Sequence, residues 1–130
     1  MSLEQKKIMV VKIGSSTLVT GEGKLDTAYL ATLASQISGL RQRGWSPIIV
    51  TSGAVACGLE ALGISTRPSD TPSLQAAASV GTNILVSSYA RAFKAHDMLT
   101  SLVLITRQVT ADREQYLHVR DTLERLLDLE

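Results

Sequence analysis

Two apolar runs end abruptly at small polar residues, and each is followed by a helical pattern. Ile8 to Ile13 is apolar except for Lys12, the pattern of a strand covered on both faces. Gly14-Ser15-Ser16 breaks it. Pro47 to Thr51 repeats the arrangement and stops at Ser52-Gly53. Thr100 to Ile105 reads as a third strand. Between the first two runs, Leu30, Leu33, Ile37 and Leu40 lie on one face of an amphipathic helix, with Asp26 as its N-cap and a stop near Gly44. Ala54 to Leu62 reads as a short helix and residues 63–72, with two prolines, as a loop. Leu74 to about Ala95 is a long helix. Its Ala76, Ala77, Ala78 and Gly81 predict close packing against another backbone, the sheet being the candidate. A last helix runs from about Asp112 to the end, with Tyr116, Val119, Leu123 and Leu126 on one face.

The predicted order is β-α-β-α-α-β-α. Strands separated by helices predict parallel pairing, right-handed crossovers and helices on both faces. The expected fold class is therefore α/β, a three-layer α/β/α sandwich with a mainly parallel sheet. Three strands are few for such a fold, so the sheet is expected to be incomplete within this chain.

Charge and composition narrow the partners. The chain has 130 residues, 13 basic and 12 acidic, a net charge of +1 and no block of like charge. Nothing here draws it to nucleic acid or to an anionic membrane surface. One cysteine, Cys57, excludes an intrachain disulfide, and no cluster has metal-ligand spacing. The N-terminal MSLEQKK lacks the long apolar stretch of a signal peptide, and no apolar run reaches membrane-spanning length. A cytoplasmic location is the expectation.

The candidate chemistry lies at the two strand ends. A lysine within an otherwise apolar strand either finds an anion or keeps its head in water. In Lys12, followed by Gly14, Ser15 and Ser16, the anion reading is a phosphate cradled by backbone N–H groups and hydroxyls. Neither a P-loop nor a dinucleotide fingerprint is present, and TGEGK at residues 20–24 reads as an exposed turn. Ser52, Gly53 and Ala54 form the second candidate, where Ser52 either donates to an anion or merely caps the helix. T-S-G-A does not match the nucleophile elbow G-x-S-x-G. His96 and His118 read as solvated, Cys57 as a small buried hydrophobe, and Asp121–Arg125 as a helical ion pair. Neither strand end offers an acid–base pair. Phosphoryl transfer to a carboxylate needs none, because that nucleophile is already an anion.

The strings VVKIGSSTL and IIVTSGAVACG, followed by SLQAAASVG and LITRQVTADREQYLHVRDTLERLL, resemble the N-terminal part of the glutamate 5-kinases, within the amino acid kinase superfamily. The likeness runs from about Ile8 to the end. It implies ATP-dependent phosphorylation of the γ-carboxylate of L-glutamate in proline biosynthesis, with Mg²⁺ on the nucleotide. Apart from the resemblance, an unfinished sheet edge and the apolar last helix predict self-association, hence a homo-oligomer. By the same resemblance Lys12 is catalytic and, with Gly14, Ser15 and Ser16, lines the ATP phosphate site, while Ser52, Gly53 and Ala54 bind glutamate. Residues 1–130 would form the amino-acid-substrate half of the kinase domain, without the nucleotide-binding half. Thr82 and His118 depart from the family, which usually has glutamine and asparagine there. Two alternatives stand beside this: a superfamily kinase of another carboxylate or phosphate, and a non-catalytic binding module.

Overall fold

Three aspartates start the three long helices. Each lies in extended backbone and accepts, through Oδ1, the N–H of the residue three positions on: Asp26 from Tyr29 (2.9 Å), Asp70 from Ser73 (2.8 Å) and Asp112 from Gln115 (2.9 Å). Each thereby satisfies one N–H that a helix start leaves open. The Asp70 carboxyl is held below its ordinary pKa by the two hydrogen bonds from Ser73. The computed structural model describes residues 6–129. The ends read above, MSLEQ and Glu130, lie outside them. The elements are β1 (Lys7–Ile13), α1 (Ser15–Leu18), α2 (Thr27–Gln42), β2 (Trp45–Thr51), α3 (Ala54–Ala61), α4 (Thr71–Lys94), α5 (Arg107–Ala111) and α6 (Arg113–Asp128). They fall into two compact units, Ile8–Thr100 and a second made of Ser101 onward with the N-terminal residues through Lys7.

In the first unit, β1 and β2 pair in parallel as a two-stranded sheet. Ile13 joins Leu30, Leu33, Ala34 and Ile37 of α2 and Leu85, Tyr89 and Phe93 of α4 in one buried cluster. The face predicted for α2 is thus the face it buries. Lys12, however, is exposed, and Val10 keeps 64% and Val50 48% of their surface. The strands are covered on one face, not on both as their unbroken apolar runs predicted. An alternating strand would have been legible as half-buried; these runs hide the alternation because both faces carry valine and isoleucine.

The small residues of α4 do pack against a backbone, but it belongs to α3 rather than to the sheet. A Cβ built on Gly81 would collide with the Ala54 carbonyl, and one on Gly58 with the Ala77 carbonyl. Ala54 and Gly58 on α3 face Ala77 and Gly81 on α4, each pair one helical turn apart. Helix α4 also begins earlier than its apolar spacing predicted, because Asp70 caps it and Pro72 fits the first turn. The TGEGK turn is a tight reversal closed by Thr20 N–H to the Lys24 carbonyl (2.7 Å).

In the second unit, residues 101–106 form no strand, which corrects the third-strand expectation. They carry exposed Leu102 (48%), Leu104 (72%) and Ile105 (54%). A strand is defined by its ladder, and among the described residues nothing hydrogen-bonds to this segment as a neighbour. The short helix α5 was not legible beforehand. In α6, Tyr116 is half-exposed and Leu127 is the buried residue. Lys6 donates to the Leu127 carbonyl and pairs with Asp128 at 3.1 Å. The expected Asp121–Arg125 pair is replaced by Arg120, which bonds Asp121 (2.8 Å) and approaches Glu124 (3.7 Å).

Candidate functional site

Two strand ends lie side by side because their strands are parallel neighbours. The Ser52 N–H donates to the Ile13 carbonyl at 3.2 Å, extending the ladder one residue past β2. Beyond it each chain turns at a glycine into a helix. Gly14 does so with φ −77°, which any residue can adopt, and Leu18, fully buried, pins the short α1 that follows. Gly53 does so with φ +108°, a left-handed conformation that a side chain would strain. A Cβ on Gly53 would lie 3.8 Å from Ser15 Cα and 3.9 Å from the Leu18 side chain. The two turns therefore touch.

Their caps differ from those of the long helices. Neither Gly14 nor Gly53 has a side-chain oxygen to give. Among the described residues, no acceptor receives the N–H groups of Ser15, Ser16, Ala54 or Val55. The hydroxyls of Ser15, Ser16 and Ser52 and the ammonium of Lys12 likewise make no hydrogen bond or ion pair there, and all four side chains belong to exposed residues. A lysine, three serines and two open helix starts thus lie at one end of the sheet. Around Gly14, the nearest atom to an added Cβ is Ser16 Oγ at 4.0 Å, so the fold itself does not require a glycine there. A glycine with free space and ordinary φ is what close approach of a ligand to the backbone uses.

Of the sequence-predicted residues, Lys12 lies at the end of β1, and Gly14, Ser15, Ser16, Ser52, Gly53 and Ala54 lie in the two neighbouring turns and the helix starts that follow them. Two residues that the sequence did not flag support them. Tyr89 of α4 is buried and donates to Thr51 Oγ1 at 2.9 Å; Thr51 in turn donates to the Ser52 carbonyl at 3.3 Å. Burial pushes the Tyr89 phenol upward, with the Thr51 bond opposing in part. No pattern marked it, because an aromatic residue on a buried helix face reads as core. Cys57 sits in the first turn of α3, where a helix start would favour a thiolate. Burial and the charge of Glu60 push its pKa up instead, in keeping with a packed thiol. His96 and His118 are exposed, as predicted. No group of three or more His, Cys, Asp or Glu among the described residues could hold a metal ion. Of the described helices, none is long and apolar enough to cross a membrane.

The model of the amino acid kinase family matches residues 7–130. Similar curated proteins include the glutamate 5-kinases of Burkholderia ambifaria, 46% identical over 128 residues, and of Azoarcus sp. (strain BH72), 41% identical over 127 residues, each match covering 98% of this chain. That of Geobacter sp. (strain M21) is 42% identical over 125 residues, 96% of this chain. The chain spans about a third of the length of these relatives, 34% in each case.

Proposed function

Since the chain belongs to the amino acid kinase family, we propose that it supplies the amino-acid-substrate side of a glutamate 5-kinase. The observation that carries this reading is the pair of touching turns with four unclaimed N–H groups, three free hydroxyls and an exposed lysine. Phosphoryl transfer to a carboxylate needs positioned positive charge and N–H donors more than a base. Lys12 is the catalytic residue, placed to neutralise the phosphoryl group as it moves. Gly14, Ser15 and Ser16 receive the ATP phosphates, and Ser52, Gly53 and Ala54 receive glutamate. ATP supplies the phosphoryl group, and Mg²⁺ arrives on its phosphates. A γ-carboxylate oxygen bonds to the terminal phosphorus as the bond to ADP breaks, and no proton has to leave.

In this reading residues 1–130 are the substrate half of a three-layer α/β/α domain. The exposed sheet face with Val10 and Val50 supports a further layer there. The assignment fits a cytoplasmic biosynthetic enzyme. It also includes a homo-oligomer, for which the support is that, among the described residues, no further strand pairs with the outer edges of β1 and β2. Sedimentation of the protein expressed from its own gene should then give more than one chain's mass, and a monomer at micromolar concentration removes that part.

The direct test uses the same preparation with Mg-ATP and L-glutamate, trapping the acyl phosphate with hydroxylamine. Hydroxamate and ADP should form in equal amounts. No hydroxamate with glutamate, together with ADP release on a different carboxylate or phosphate acceptor, would overturn the substrate assignment in favour of another kinase of the family. Absence of ADP release with every acceptor tried would leave a binding module.

A further inference from the structure

We propose that Tyr89 is a positioning residue: its hydroxyl, acting through Thr51, fixes the Ser52-Gly53 turn in the shape that receives the carboxylate substrate. This rests on the functional reading above for the substrate and on the geometry alone for the turn. The ring of Tyr89 belongs to the core cluster and lies 6.0 Å from that of Phe93. A phenylalanine would fill the same space, so the packing does not account for the hydroxyl. A buried phenol needs a partner, and the one it has is at the last residue of β2, Thr51 Oγ1 at 2.9 Å. The Thr51 hydroxyl then donates to the Ser52 carbonyl at 3.3 Å, while the Ser52 N–H is held by Ile13 at 3.2 Å. Both backbone polar groups of Ser52 are thus engaged and its hydroxyl is left free. Two turns earlier on α4, Gly81 lies against the Ala54 carbonyl. One helix therefore grips the turn at both of its ends, by a hydrogen bond before it and by backbone contact after it.

The test compares Tyr89→Phe, Thr51→Val and Thr51→Ser in the protein expressed from its own gene. Amide hydrogen exchange reports the turn through the Ser52 N–H and the Cys57 N–H, which is bonded to the Gly53 carbonyl at 3.0 Å; Leu30, bonded to Asp26 at 3.1 Å, is the control. Losing one such bond should speed exchange at Ser52 and Cys57 by about five- to tenfold and leave Leu30 unchanged. Thr51→Val, which also removes the bond to Ser52, should speed exchange at least as much as Tyr89→Phe. Adding Tyr89→Phe to it should change little, and Thr51→Ser should keep wild-type exchange. KM for glutamate should rise by a similar factor, with kcat and KM for ATP moving less than about twofold. Unchanged exchange at Ser52 and Cys57, or equal acceleration at Leu30, overturns the positioning role. Local acceleration with an unchanged KM for glutamate overturns the link to the substrate. If the wild-type protein phosphorylates no glutamate, the functional reading fails by itself and the exchange pattern still decides the role of Tyr89.

Discussion

Gly58→Ala and Gly81→Ala should each lower stability by about 2 kcal/mol or more, while Gly39→Ala should raise it by about 0.5–1 kcal/mol. All three replace a helical glycine and gain the same propensity, about 1 kcal/mol in favour of alanine. What separates them is the space. At Gly39 in α2 the nearest atom to an added Cβ is the Arg43 guanidinium at 3.8 Å, ordinary contact with a movable side chain. At Gly58 and Gly81 the added carbon runs into the carbonyl of Ala77 or Ala54. A backbone atom has no rotamer to move to, so α3 and α4 must separate, and overpacking outweighs the propensity gain. Thermal unfolding would report the difference as a fall of roughly 5–12 °C for the first two and a small rise for the third. Equal midpoints for all three would show that α3 and α4 do not approach as closely as described.

Lys12→Met should reduce turnover by about 10²–10³-fold, with KM for glutamate little changed. In the proposed role the charge acts where the phosphoryl group moves, so its loss would fall on the transition state and not on substrate binding. The fold should not notice. Lys12 is exposed and bonds to nothing among the described residues, and surface changes of that kind stay within about 0.5 kcal/mol. The paired measurement is steady-state hydroxamate formation and a denaturant midpoint on the same preparation. Turnover within about threefold of wild type would remove Lys12 from the chemistry.

The sequence made the candidate site largely readable, and for a physical reason. A strand that stops at glycine and serine, and restarts as a helix, must leave backbone donors open, and two such junctions on parallel neighbours must meet. Helix α2 was equally plain, because Asp26 and the leucines after it all obey one local rule. What was not legible depends on partners far along the chain. Ala77 and Gly81 predict a close approach but do not say to what; the answer, α3, lies in Ala54 and Gly58, two small residues among several. Thr100 to Ile105 has the composition of a strand, yet pairing is a property of two segments and no local pattern supplies the second. The Tyr89 hydroxyl is invisible for the same reason. Its meaning comes from Thr51, 38 residues earlier.

The contrast between aspartate caps and glycine caps bears on what a bound ligand does to the chain. Helices α2, α4 and α6 each carry an anion of their own and need none from outside. Helices α1 and α3 start without one, and α1, at four residues, is far too short to persist on its own hydrogen bonds. A phosphate or carboxylate arriving there would serve as a detachable cap, completing the same first turn that an aspartate completes elsewhere. Occupancy would then be felt as local stiffening of the two turns, and the ligand would become, while it stays, one more residue of the fold.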